Sequence, residues 1–193
     1  MGGCGGAAAP AATPPIGHQA SARTTTAAAT NELLELGDPA AEVVLDYWFD
    51  YECPFCRQLG PTIAAMAERY GDRVRIRLRP YPLRQHPRGR AAAIATEAAR
   101  RQGRGIELYR TLMAGELPDD DGVRAAAARL GLDLPRFDAD RRDAATREVI
   151  DASIADGDRV PLEGVPTLVL DGTVLDALDE AGLAAALEAR LAR

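Results

Sequence analysis

A chain of 193 residues is long enough for one ordinary domain, or for one domain carrying an insertion. Its 47% hydrophobic content and formal net charge of −6 point to a soluble globular protein, and no basic cluster interleaved with aromatics offers a nucleic-acid surface. No apolar run approaches the roughly 20 residues that a bilayer span needs. There is no lysine, so arginine supplies every permanent side-chain cation; in so alanine-rich a chain this bias looks like nucleotide composition and supports no functional conclusion.

Residues 1–30 are rich in Gly, Ala, Thr and Pro and nearly free of large apolar side chains. Such a stretch buries too little surface to offset its ordering entropy, so it reads as a disordered leader or tether. It opens Met1-Gly2-Gly3-Cys4-Gly5-Gly6, a cysteine among small residues ahead of a flexible segment. That arrangement is similar to the lipidated N-terminus of a bacterial lipoprotein, although the charged and apolar regions of a signal peptide are missing. Two readings of Cys4 stay open: a lipid attachment point that anchors the chain to a membrane, or a stray thiol.

Val43 to Phe49 is a nearly continuous apolar run, the pattern of a central strand covered on both faces. Asp50-Tyr51-Glu52 leads from it into Cys53-Pro54-Phe55-Cys56. Beyond Cys56, Ile63, Met66, Ala67 and Tyr70 recur at helical spacing; Gly71 ends the pattern and Pro61 should kink it. Two cysteines three apart at a strand-to-helix junction can close a disulfide across the first helical turn. The first thiol there lies where free N–H groups and the helix dipole favour an anion, and the thiolate is the nucleophilic form. A structural zinc site wants four ligands, and three cysteines with two histidines supply no second pair at the right spacing. Proline between the cysteines also argues for an exposed turn over an inert core strand. Redox chemistry is the reading that remains.

Arg73 to Arg79 alternates strictly, with Val74, Ile76 and Leu78 facing a core and the arginines facing solvent, as in a half-buried strand. Pro80, Pro82 and Pro87 then interrupt regular structure. From Arg88 to Asp158 the pattern is helical, with helices expected at about 88–102, 105–115, 120–130 and 138–156. Sheet signals return at Val165 to Leu170; Asp171-Gly172 marks a hairpin and Thr173 to Leu175 its second strand. Leu183 to Leu191 closes the chain as an amphipathic helix. The order is β-α-β, a helical block, then β-β-α.

This α/β order and its motifs resemble the DsbA-like thioredoxin-fold thiol–disulfide oxidoreductases, a family with extracytoplasmic bacterial members. The matching residues are Asp50-Tyr51-Glu52-Cys53-Pro54-Phe55-Cys56, Gly71-Asp72-Arg73-Val74, Tyr81-Pro82-Leu83, His86-Pro87, Leu130-Gly131-Leu132-Asp133, Arg136-Phe137-Asp138 and Gly164-Val165-Pro166-Thr167. The resemblance implies a thioredoxin fold built from residues 31–83 and 159–193, with an all-helical subdomain inserted at 84–158. It implies that Cys53 is the exposed nucleophile and that Cys56, shielded one turn in, resolves the mixed disulfide. Pro166 would follow a cis bond beside Cys53, leaving the backbone of Val165 free to pair with an extended client strand. Pro54, Phe55, Glu52 and Thr167 complete the surroundings of the site.

Two departures from the family pattern stand out. The buried acid that many members carry six residues before the first cysteine is here Tyr47, while Asp46 should face the other side of the sheet. Proton transfer to Cys56 is left to Asp50, Glu52 or water. Phe55 also stands where strongly oxidising members often have a histidine, so a less extreme potential is expected. His86 reads as a surface-loop histidine.

The expected activity is donation of the Cys53–Cys56 disulfide to unfolded secreted proteins outside the cytoplasm, in the periplasm or cell envelope. No metal or organic cofactor is expected, the resemblance implies regeneration by a membrane quinone-linked partner, and a monomer is the simplest state. One rival is a cytoplasmic disulfide reductase, favoured if Met1 is the true start. Another is a non-catalytic client-binding or sensor module with a vestigial cysteine pair.

Overall fold

The structure is a computed structural model that describes residues 1–3, 33–176 and 179–193. Cys4 and nearly all of the expected leader lie outside these residues.

Five strands form one mixed sheet in the order β1-β3-β2-β4-β5. The apolar run becomes the central strand β2, Val43–Phe49, every residue of which is buried except the half-buried Val44. It runs parallel to β3, Val74–Pro80, and antiparallel to β4, Thr167–Leu170. Between β2 and β3 the chain crosses over through helix α1, Pro54–Tyr70, which continues unbroken through Pro61. β5, Thr173–Leu175, pairs with β4 across a turn in which Asp171 and Gly172 have φ of 45° and 83°. Positive φ at both central residues is the geometry that matches a hairpin's twist, and Asp-Gly tolerates it. Asp171 also accepts the Val44 amide at 3.0 Å, tying the hairpin to β2.

The other edge strand, β1, Glu35–Gly37, is only three residues long and pairs antiparallel with β3. It carries too few residues to show a period, so it goes unread in the sequence.

Five helices stand between β3 and β4: α2 Pro87–Arg100, α3 Gly105–Met113, α4 Asp120–Arg129, α5 Leu134–Arg142 and α6 Ala144–Gly157. The single helix expected at 138–156 is two. Asp143 is extended there (φ −67°, ψ 136°), so it ends α5, and its carboxylate accepts the Ala145 amide at the start of α6. Pro135 sits in the first turn of α5, where its missing N–H costs nothing. Helix α7, Glu180–Leu191, closes the chain, and Glu188 on it accepts from both Tyr70 and Arg69 on α1. One apolar core runs from the sheet through α1 into the helices, with Tyr47, Phe49, Tyr51 and Tyr109 packed ring against ring behind the end of β2.

The arginine face of β3 is not an open, solvated face. Arg75 forks onto Glu35, while Arg77 and Arg79 both reach Asp46 on β2, whose side chain is 11% exposed. Asp46 stands directly opposite Arg77, whereas Glu35 and Arg75, and Asp46 and Arg79, meet on diagonals two positions apart; Arg79 also lies over the Trp48 ring.

Candidate active site

β2 delivers the chain to the site. After Phe49 the Asp50-Tyr51-Glu52 turn folds back, with the Cys53 amide donating to the Asp50 carbonyl at 3.2 Å. Cys53 is the N-cap of α1, extended at φ −71° and ψ 120°, and Pro54 opens the helix. Arg57, one turn later, donates to the carbonyls of Tyr51 and Glu52 at 3.2 and 2.9 Å and holds the turn in place. The first cysteine therefore sits at the positive end of a 17-residue helix.

Cys53 was expected to be exposed; the residue is 4% exposed. The loop before β4 covers it, and its Sγ lies 3.7 Å from the Val165 carbonyl oxygen. The Val165–Pro166 peptide is cis. Phe55, in contrast, projects from the motif at 65% exposure. Thr167 turns inward, its hydroxyl donating to the Gly164 carbonyl at 2.8 Å. Beside these residues runs an open groove of about 790 Å³, lined by Phe55, Leu59, Thr62, Glu163, Val165 and Pro166 among others.

Cys56 is fully buried, and both cysteines are free thiols in this structure. The Asp50 amide donates to Cys56 Sγ at 3.4 Å, and the Tyr47 hydroxyl donates to the Cys56 carbonyl at 2.9 Å. Burial pushes the Cys56 thiol far above its ordinary range; the Asp50 amide works against this, and the nearby Cys53 and Asp50 charges add to it. Tyr47 is raised too, chiefly by burial, so at neutral pH it serves as a neutral hydrogen-bond donor.

The carboxylate question left by the sequence has a geometric answer. Asp46 points to the other sheet face, held by Arg77 and Arg79. Glu52 is bound to Arg88 through the backbone amide at 2.8 Å and through Nε at 3.0 Å. Partial burial pushes its carboxyl up, but the Arg88 hydrogen bonds outweigh that and hold it below the ordinary value. Asp50 is the carboxylate behind Cys56: its side chain is 0% exposed, and it accepts the Glu52 and Leu83 amides at 2.9 Å each. His86 is not a free surface-loop residue either, because its Nδ1 lies 2.7 Å from Asp50 Oδ2. Thirty-six residues separate the two, and no local pattern joins them.

Among the described residues, no group of three or more His, Cys, Asp or Glu side chains is placed to hold a metal ion. In the same residues, no helix is long and apolar enough to cross a membrane.

With that geometry in hand, comparison with known proteins is direct. The family profile described as Thioredoxin matches residues 29–189. The chain belongs to the thioredoxin family. A thioredoxin-like oxidoreductase from Silicibacter pomeroyi DSS-3 superposes with a TM-score of 0.74 at 25% identity, covering 83% of this chain and 92% of that one. The catalytic domain of Proteus mirabilis ScsC (TM-score 0.71, 20% identity, 82% and 89% covered) shares this thioredoxin-family fold. So does the thiol-disulfide exchange protein alpha-DsbA2 of Wolbachia pipientis (0.70, 16%, 83% and 86%). In sequence the chain is 37% identical over 141 residues to the Na(+)/H(+) antiporter NhaA 1 of Mycobacterium sp. (strain KMS), covering 70% of this chain and 23% of the antiporter. NhaA 3 of Salinispora tropica matches over 167 residues at 37%, covering 80% of this chain and 25% of the antiporter. This thioredoxin-family chain thus spans about a quarter of the length of those relatives.

Proposed function

We propose that this chain is a thiol–disulfide oxidoreductase that works outside the cytoplasm, passing a Cys53–Cys56 disulfide to thiol-bearing client proteins. The observation that carries the reading is the asymmetry of the pair. Cys53 caps a helix N-terminus with its sulfur against Val165, a residue that lines an open groove, while Cys56 is fully buried with its sulfur on the Asp50 amide. A client thiolate attacks Cys53 Sγ, the Cys53–Cys56 bond breaks, and Cys56 leaves as a thiolate that takes up a proton. A second client thiolate then attacks the client sulfur of the mixed disulfide and releases Cys53. The client gains a disulfide and the enzyme becomes a dithiol, so two electrons pass to the enzyme.

The groove lined by Phe55, Leu59 and Val165 suits an extended peptide, with Phe55 and Leu59 as apolar contacts. A membrane redox partner that takes the two electrons back completes the cycle. Ion antiport is no part of the proposal, since the antiporter relatives share only a quarter of their length with this chain.

The test is the reduction potential of the Cys53–Cys56 couple, measured by equilibration in glutathione buffers. A value near the about −120 mV of strong oxidants supports disulfide donation. A value near the about −270 mV of thioredoxin overturns donation in favour of reduction.

A further inference from the structure

The Asp50–His86 pair has no part in the exchange as written above, yet it is built into the back wall of Cys56. The Asp50 carboxylate has no solvent exposure and is held by two backbone amides and one imidazole nitrogen. Its own amide, three bonds from the carboxylate carbon, holds Cys56 Sγ. The first turn of α2 closes over it so tightly that a Cβ on Gly89 would collide with Oδ1. His86, with its side chain 22% exposed, connects this carboxylate to solvent.

We propose that His86 sets the charge that Cys56 faces, so that opening and closing of the Cys53–Cys56 disulfide respond to pH through the buried Asp50–His86 pair. The proposal rests on the redox reading of the cysteine pair given above. When His86 carries a proton, the pair is neutral as a whole; when it does not, a lone buried carboxylate opposes a thiolate on Cys56. The same charge acts in both directions, because Cys56 is the leaving sulfur in donation and the attacking sulfur in ring closure.

The other charged or titratable groups around the sulfur do not supply this response. Tyr47 on β2 and Tyr109 on α3 are buried and stay protonated across neutral pH. Arg57 on α1 and Arg88 on α2 are permanently charged and bound to the turn carbonyls and to Glu52. Glu52 stays ionised in that pairing. Cys53 is locked in the mixed disulfide during the step concerned. His86 is the one side chain here whose type titrates between about pH 5 and 8.

Ring closure can be followed directly with thionitrobenzoate as the leaving thiol. The reduced protein reacts with its symmetrical disulfide, placing one thionitrobenzoate on Cys53. The Cys56 thiolate then attacks Cys53 Sγ, forms the protein disulfide and expels coloured thionitrobenzoate thiolate; the Cys56 proton goes to solvent. His86→Asn keeps an amide nitrogen where Nδ1 stands but cannot titrate. The wild-type closure rate should exceed that of His86→Asn by about fivefold or more near pH 6, and the ratio should fall to about one near pH 9. A ratio that stays constant across this range overturns the role of His86. Asp50→Asn removes the buried charge, so it should close faster than wild type near about pH 9, and slower closure overturns the charge account. If thionitrobenzoate loads onto wild-type Cys53 but is never expelled, the redox reading itself fails. Expulsion with parallel pH profiles removes the His86 proposal alone.

Discussion

The backbone of Gly89 presses against the carboxylate of Asp50 so closely that no side chain fits between them. Helix α2 is thereby docked on the turn that leads into Cys53, and the docking depends on a missing methyl group. Gly89→Ala would have to displace a carboxylate already committed to the Glu52 and Leu83 amides and to His86. Overpacking of this kind costs about 1–3 kcal/mol. Urea melts should show that loss, and the variant should also exchange disulfides more slowly because the Asp50 amide shifts off Cys56. A melt identical to wild type would show that α2 yields without cost.

On the opposite sheet face Asp46 ties β2 to β3. It is the shared acceptor of two half-buried guanidiniums, Arg77 and Arg79, and makes no contact with the cysteines. Asp46→Ala takes the carboxylate partner from Arg77 and leaves Arg79 with Asp156 and the Trp48 ring, so it should lower stability by about 1–3 kcal/mol, with the glutathione equilibrium of the cysteine pair unchanged. A shift in that equilibrium would link the two faces of β2.

Which of these relationships the chain announces in advance follows from how local they are. β2 is legible as a nearly continuous apolar run and α1 and β3 by their own periods, each over seven or more residues, and the cysteine motif lies at the junction of β2 and α1. Gly164-Val165-Pro166-Thr167 is legible as a motif, but the approach of the Val165 carbonyl to Cys53 joins residues 112 apart. The Asp50–His86 contact is of the same kind, since a histidine after two prolines looks like any loop histidine until the sheet is assembled. The arginines of β3 read as solvent-facing because alternation reports which face a residue is on and not what stands opposite. The break at Asp143 is not legible for another reason: no glycine or proline marks it, and its extended backbone and side-chain cap divide α5 from α6.

Phe55 tests how far the residues between the cysteines tune the pair. It is largely in solvent, so a replacement there perturbs little packing. Phe55→His puts a titratable cation beside Cys53, which stabilises the thiolate and hence the dithiol form. The couple should become more oxidising by about 30 mV, equivalent to tenfold in the equilibrium constant, and the shift should shrink above about pH 8. Glutathione titrations near neutral and alkaline pH check both parts. A shift toward more reducing values would show that the ring of Phe55, and not the absence of charge, sets the potential.

Alkaline pH should weaken the reduced protein through Cys56. Burial raises this thiol above its ordinary value of 9.0 in the folded state, whereas in the unfolded chain it ionises normally. Below pH 9.0 both states hold the proton and the full contribution of the buried thiol is present. As pH climbs past that value the unfolded state loses its proton first, and stability falls by up to about 1.4 kcal/mol per pH unit until the folded thiol also ionises. Buried Tyr47, Tyr51 and Tyr109 add the same sign of dependence, but only from their ordinary value of 10.0 upward. The window between the two values therefore isolates the thiol. Reduced wild type and Cys56→Ala, compared by urea melts across it, should converge in stability as pH rises. Parallel lines would mean that the thiol ionises in the folded protein as readily as in the unfolded chain, and that its burial does not oppose the thiolate.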